Sequence, residues 1–115
     1  MSIRTRAVAV GAATAAALAL TAAPALAQKN VITVTTPKSS PFAFKGMPKT
    51  LKAGTYTFKY VNNSGIQHNL KVGLSATPLF SSGSKTVTVK LKKGTTVAYE
   101  CTPHKTMMKG TIKVT

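Results

Sequence analysis

Apolar and polar residues alternate with period two along much of the chain after residue 30. Val31-Ile-Thr-Val-Thr-Thr36 opens this region as a β-branched run. From Thr55 to Val61 the residues Tyr56, Phe58 and Tyr60 share one face, with Thr57 and Lys59 opposite. His68 to Val72, Thr86 to Leu91, Thr95 to Cys101 and Gly110 to Val114 continue in the same way. Alternate side chains of a strand point the same way, so each run predicts a half-buried β-strand. Turn clusters separate them: Leu51-Lys-Ala-Gly54, Asn62-Asn-Ser-Gly65, Ser81-Ser-Gly-Ser84 and Lys92-Lys-Gly94. Pro37 to Pro48 reads as a loop that carries Phe42, Phe44 and Met47. No segment has a convincing helical period. Short strands punctuated by turns predict an all-β single domain, an antiparallel sandwich or barrel.

The first 27 residues break this pattern. Met1-Ser-Ile-Arg-Thr-Arg6 leads into an Ala/Val/Leu run that closes on Pro24-Ala-Leu-Ala27. A basic start, a short apolar stretch and an Ala-x-Ala site predict a secretory signal peptide over 1–27, with the mature domain at 28–115. The expected location is the periplasm, extracellular space or cell envelope of a bacterium. The mature chain has no further long apolar run, hence no expected transmembrane segment. Composition narrows the function. The chain has 16 Lys+Arg against one Asp+Glu, a formal charge of +15. Arg4 and Arg6 leave with the leader, so the mature chain keeps only lysines and Glu100, at +13. A single carboxylate excludes paired-carboxylate catalysis and calcium or magnesium cages. Export and the lack of arginine argue against nucleic-acid binding. Asn62-Asn-Ser64 is formally a glycosylation sequon, but reads better as a hairpin turn.

Strand parity then isolates a chemical cluster. Val97, Tyr99 and Cys101 share the inward face of one strand, and His68 shares a face with Leu70 and Val72 in another. Cys101 is the only cysteine and forms no internal disulfide. After it comes Cys101-Thr-Pro-His104-Lys-Thr-Met107-Met108-Lys-Gly110, one short loop with thiolate, imidazole and thioether. Pro103 stiffens that loop by fixing φ. With His68 as fourth donor, this soft set suits copper, since two His and a Cys with a long axial Met is the blue-copper arrangement. A Cys–His hydrolase is the competing chemistry, but the chain lacks an orienting Asp and a nucleophile helix. A zinc site is a third option, although structural zinc rarely recruits Met. Met47 reads as loop packing, and Gly110 as a residue of the turn out of the loop.

Two separated stretches in the right order carry a family resemblance. Asn62-Asn-Ser-Gly-Ile-Gln-His68-Asn69 and Val97-Ala-Tyr-Glu-Cys101-Thr-Pro-His104, with Met108-Lys-Gly110-Thr-Ile-Lys-Val114, resemble the plastocyanin/azurin family of cupredoxins. The Cys-Thr-Pro-His run and closely following Met are most similar to its amicyanin and pseudoazurin branches, and the likeness spans the mature chain. The resemblance implies a Greek-key β-sandwich holding one type 1 copper ion and shuttling single electrons, without enzymatic activity. It makes His68, Cys101 and His104 the equatorial ligands and Asn69 the residue that ties the two ligand loops together. Met107 fits the Cys-x-x-His-x-x-Met count. Met108 fits the Met-x-Gly that opens the last strand, shares inward parity with Ile112 and Val114, and is preferred.

The expected electron port is the exposed edge of His104, ringed by Ile66, Pro103 and Met107, with Phe42 or Phe44. The expected partner is an acidic redox protein, or an anionic envelope surface, steered by lysines such as Lys59, Lys71, Lys90, Lys105, Lys109 and Lys113. A monomer is expected. A copper-binding or copper-delivery protein on the same scaffold is the alternative, followed by a metal-free cationic sandwich that adheres to polyanions.

Overall fold

The computed structural model describes residues 30–115; the expected leader at 1–27 lies outside them. Eight strands follow in order: β1 (Val31–Thr36), β2 (Thr50–Leu51), β3 (Gly54–Asn62), β4 (Lys71–Val72), β5 (Ser75–Ala76), β6 (Gly83–Leu91), β7 (Thr96–Glu100) and β8 (Lys109–Val114). They form a three-stranded sheet, β1-β3-β6, and a five-stranded sheet, β2-β8-β7-β4-β5. Only β4–β5 and β7–β8 join consecutive neighbours as hairpins; every other connection changes sheet. The fold is therefore an all-β, single-domain sandwich of the Greek-key kind. No helix among the described residues is long and apolar enough to cross a membrane.

Parity works as the sequence leads one to expect. Val34 from β1, Phe58 and Tyr60 from β3 and Val87 from β6 meet Val72 from β4 and Ile112 from β8 in one buried cluster with Leu70 and Phe80. Met47 packs against that cluster, as its loop-packing reading requires. Burial of such side chains contributes about 1.5–3 kcal/mol each. Two buried polar groups are paired inside it. The Tyr60 hydroxyl lies 2.6 Å from Thr36 Oγ1, and burial pushes its pKa up to about 12. Asn62 is fully buried. Its Nδ2 donates to the carbonyls of Ile66 and Phe80, and its Oδ1 accepts from the amide and hydroxyl of Ser64. The sequon asparagine is thus a turn-builder whose amide points into the protein.

Two expectations need correction. The sandwich is not purely antiparallel, because β1 pairs β3 and β2 pairs β8 in parallel. Alternation reports which face a residue occupies but not the direction of the strand. Residues 37–53 carry the chain to the other sheet and back, so β3 runs alongside β1 in the same sense. The strand expected over His68 to Val72 forms a ladder only at Lys71–Val72. Upstream, His68 exchanges two 3.0 Å backbone bonds with Phe80 as an isolated bridge, and the Leu70 amide donates to the Thr77 hydroxyl instead.

Candidate metal centre

The β7–β8 hairpin builds most of the site. Its last ladder pair is Glu100 with Lys109, and one step further the Cys101 amide donates to the Met108 carbonyl at 2.9 Å. Cys101 and Met108 thus lie across from each other on the face opposite Glu100 and Lys109, which is the inner one. Both are buried, at 0% and 1% exposure, whereas Met107 is 59% exposed. Between them, Thr102–His104 makes a 3-10 turn with Pro103 near its start. The His104 amide donates to the Cys101 carbonyl, and the amides of Met107 and Met108 both donate to the His104 carbonyl. The loop is therefore hydrogen-bonded to itself before any ligand is considered.

His68 arrives from the other stretch of sequence and is fully buried. Its Nε2 lies 2.7 Å from the Pro41 carbonyl. A carbonyl only accepts, so Nε2 carries the proton and Nδ1 is left with a lone pair. That Nδ1 lies 3.1 Å from His104 Nδ1, and each Nδ1 lies 3.5 Å from Cys101 Sγ. Burial pulls the His68 pKa down, which keeps the imidazole neutral; the Pro41 bond opposes this shift and His104 adds to it. Burial pushes the Cys101 thiol up; the amides of Asn69 and His104 pull it back, and Glu100 raises it further. Of these donors only His104 is half-buried. A triangle with sides of 3.1, 3.5 and 3.5 Å has a centre about 2 Å from each corner, the length of a metal–imidazole bond. Two imidazole nitrogens and a thiol sulfur that converge on one point make a soft donor set, which fits a small soft metal ion.

The neighbours brace that triangle. Asn69 Nδ2 donates to Thr102 Oγ1 at 3.1 Å, and the Thr102 amide donates to Asn69 Oδ1 at 2.7 Å. Asn69 thus ties the His68 segment to the Cys101 loop. Phe42, 39% exposed, presents edge-on contacts to both imidazoles, with ring centroids 5.8 Å from His68 and 5.1 Å from His104. Phe44 instead turns inward against Tyr60 and Tyr99, so of the two only Phe42 borders the site. Pro41 was not legible as a contributor, since it acts through a backbone carbonyl in an irregular loop.

Gly110 also takes a different role from the one expected. It lies within β8, paired with Tyr99, and a Cβ there would come within 2.5 Å of the Tyr99 ring carbon Cζ. The glycine makes room for an aromatic ring lying across its strand rather than serving a turn.

Comparisons with known proteins agree with this geometry. The fold is similar to that of auracyanin from the photosynthetic bacterium Roseiflexus castenholzii, with a TM-score of 0.61 at 18% identity, over 75% of this chain and 97% of that one. It is similar to a mutant plastocyanin of fern, with a TM-score of 0.55 at 22% identity, over 72% of this chain and 99% of that one. A reduced mutant amicyanin matches with a TM-score of 0.51 at 23% identity, over 75% of this chain and 83% of that one. No curated protein sequence matches the chain. Residues 30–115 match the family described as copper binding proteins, plastocyanin/azurin family. With that match over all the described residues and a His, Cys and His triangle of metal-bond size, the chain belongs to the plastocyanin/azurin family of copper-binding proteins, and its cofactor is a type 1 copper ion.

Proposed function

We propose that this protein carries single electrons outside the cytoplasm, with copper held by His68, Cys101, His104 and Met108. The observation that carries this reading is the close triangle of two imidazole nitrogens and a thiol sulfur. The buried Met108, held opposite Cys101 by the backbone, supports it as the fourth donor. Bound copper supplies a one-electron couple between Cu(II) and Cu(I). The residues do the rest. The Pro41 carbonyl fixes the tautomer and ring plane of His68. Asn69 and the self-bonded loop hold Cys101 and His104 in place whatever the charge on the site. A donor set filled by protein keeps no position open for a substrate, so the reading is a carrier rather than an enzyme.

His104 is the donor nearest solvent, and Phe42, Pro103 and Met107 give its surroundings an exposed apolar rim. That rim supports electron exchange by docking over the His104 edge. The lysine-rich surface supports an acidic redox partner or an anionic envelope surface, met by a monomer. The sequence of residues 1–27 supports export, with the mature chain beginning at Gln28. One observation favours a second reading, copper binding or delivery: the exposed Met107 thioether is a soft donor on the ligand loop.

The test is the absorption spectrum after Cu(II) is added to purified protein. The wild type is expected to develop an intense visible band, and Cys101→Ser to lose it. A colourless wild type or a blue Cys101→Ser variant would refute the ligand assignment. Voltammetry separates the two readings. A carrier cycles reversibly with its metal retained, while a delivery protein loses copper to a competing Cu(I) chelator.

A further inference from the structure

Glu100 is the only acidic residue in a chain with 16 basic ones, and it stands immediately before Cys101. Its neighbours are as unusual as its position. Across β4 and β7 it pairs in register with Lys71, and across β7 and β8 it pairs in register with Lys109. Residues directly opposite one another on neighbouring strands project to the same face. Lys71, Glu100 and Lys109 therefore make one row across three strands, on the outer face of the five-stranded sheet. These strands connect directly to the metal centre: β4 follows His68 and Asn69, β7 ends at Glu100 immediately before Cys101, and β8 begins after Met108.

We propose that Glu100 is a positioning residue for the metal centre that acts through its charge, opposing the lysine field at the Cys101 sulfur and so lowering the reduction potential. The inference rests on the copper ligand set proposed above. Glu100 and Lys71 are both half-buried, so their charges are less fully screened by salt than those of freely solvated side chains. Reduction removes one positive charge from the centre. Each nearby lysine therefore favours the reduced state, and the carboxylate favours the oxidised one. Without Glu100, Lys71 and Lys109 would face each other across an uncharged strand directly outside the thiolate, and the centre would be held in a wholly positive field. A glutamate at this position, and no acid anywhere else in the chain, keeps the surface cationic while sparing the metal from that field.

The experiment measures reduction potentials and visible spectra of copper-loaded wild type, Glu100→Gln, Lys71→Gln and Lys109→Gln at low and high salt. Glu100→Gln is expected to shift the ratio of Cu(I) to Cu(II) affinity about threefold towards Cu(I). At 59 mV per tenfold for a one-electron couple this is a rise of about 30 mV. The visible band should be unchanged, and the rise should shrink as salt is added. Each lysine variant should move the potential the other way. A Glu100→Gln potential equal to or below that of the wild type, with the same band, overturns the proposal. So does a shift indifferent to salt and accompanied by an altered band, which would mark a merely structural role. If Glu100→Gln does not load copper, Lys109→Gln decides: a lowered potential supports the proposal and an unchanged one overturns it. A wild type without a visible band or a couple refutes the carrier reading itself, whereas a wild type with both and an inert Glu100 refutes only this inference.

Discussion

At the scale of single residues, the backbone separates the two methionines of the ligand loop more sharply than their position in the sequence does. Met108 is locked opposite Cys101 by the amide of that cysteine and is buried; Met107, one residue earlier, is out in solvent. An axial thioether donates to the more highly charged Cu(II), so losing it should favour Cu(I). Met108→Leu, which nearly preserves volume, is therefore expected to raise the potential by at least about 60 mV, tenfold in relative affinity. Met107→Leu should leave both potential and spectrum near wild type. The opposite pattern would assign the axial position to Met107. The inward placement of Met108 was legible in the sequence because strand parity beyond Lys109 puts it on the face of Ile112 and Val114. The choice between Phe42 and Phe44 and the Pro41 contact were not, because an irregular loop has no period from which the reach of a ring or a carbonyl can be read. Gly110 misled for a related reason: a glycine beside a loop suggests a turn, and only the paired strand reveals the Tyr99 ring that occupies its side-chain space.

At the scale of elements, the long strands were legible and the short ones were not. β3, β6, β7 and β8 alternate over enough residues to show a face, while β2 and β5 are two residues each and carry no period. Direction was equally silent, so the parallel pairing of β1 with β3 emerged only from the fold. The inward faces of those two strands meet in the short Thr36–Tyr60 bond, and the burial of Tyr60 there, against the smaller opposing effect of that bond, gives the sheet a pH limit. Tyr60 titrates at about 12 when folded, against about 10 when unfolded. The neutral phenol is thus favoured by the fold. The stability it contributes is fully present below about pH 10 and is lost as the pH rises towards 12. Two pKa units correspond to about 2–3 kcal/mol at the upper end. The informative quantity is the difference between wild type and Tyr60→Phe in denaturant unfolding, which isolates this one group. That difference should be constant below about pH 9.5 and fall by about that amount near pH 12. A difference independent of pH across the range would show that the Tyr60 phenol ionises equally readily in both states.

At the scale of the whole molecule, the dominant property is charge without a face. Every lysine among the described residues is exposed except the half-buried Lys71. Lys59 and Lys90 lie on the outside of the three-stranded sheet, Lys109 and Lys113 on the outside of the other, and Lys105 on the ligand loop. Composition alone pointed to adhesion to any polyanion, whereas the fold adds to this field one half-buried imidazole edge, that of His104, with Lys105 on the same loop. Long-range steering acts on encounter rather than on the bound contact, and it is screened over a Debye length of about 8–10 Å at ordinary salt. A pair of small inert redox complexes of opposite charge tests this without knowledge of the natural partner. At low ionic strength the polyanionic complex is expected to exchange electrons with the copper protein at least about tenfold faster than the polycationic one, after correction for driving force. Added salt should slow the first and speed the second, so that the ratio approaches unity near 1 M, where the screening length is about 3 Å. Lys105→Gln and Lys109→Gln, nearest the loop, should each reduce the ratio more than Lys90→Gln on the opposite sheet. Equal rates for the two complexes at low salt, or a ratio that salt leaves untouched, would mean that the lysine surface keeps the protein soluble and takes no part in guiding electrons to His104.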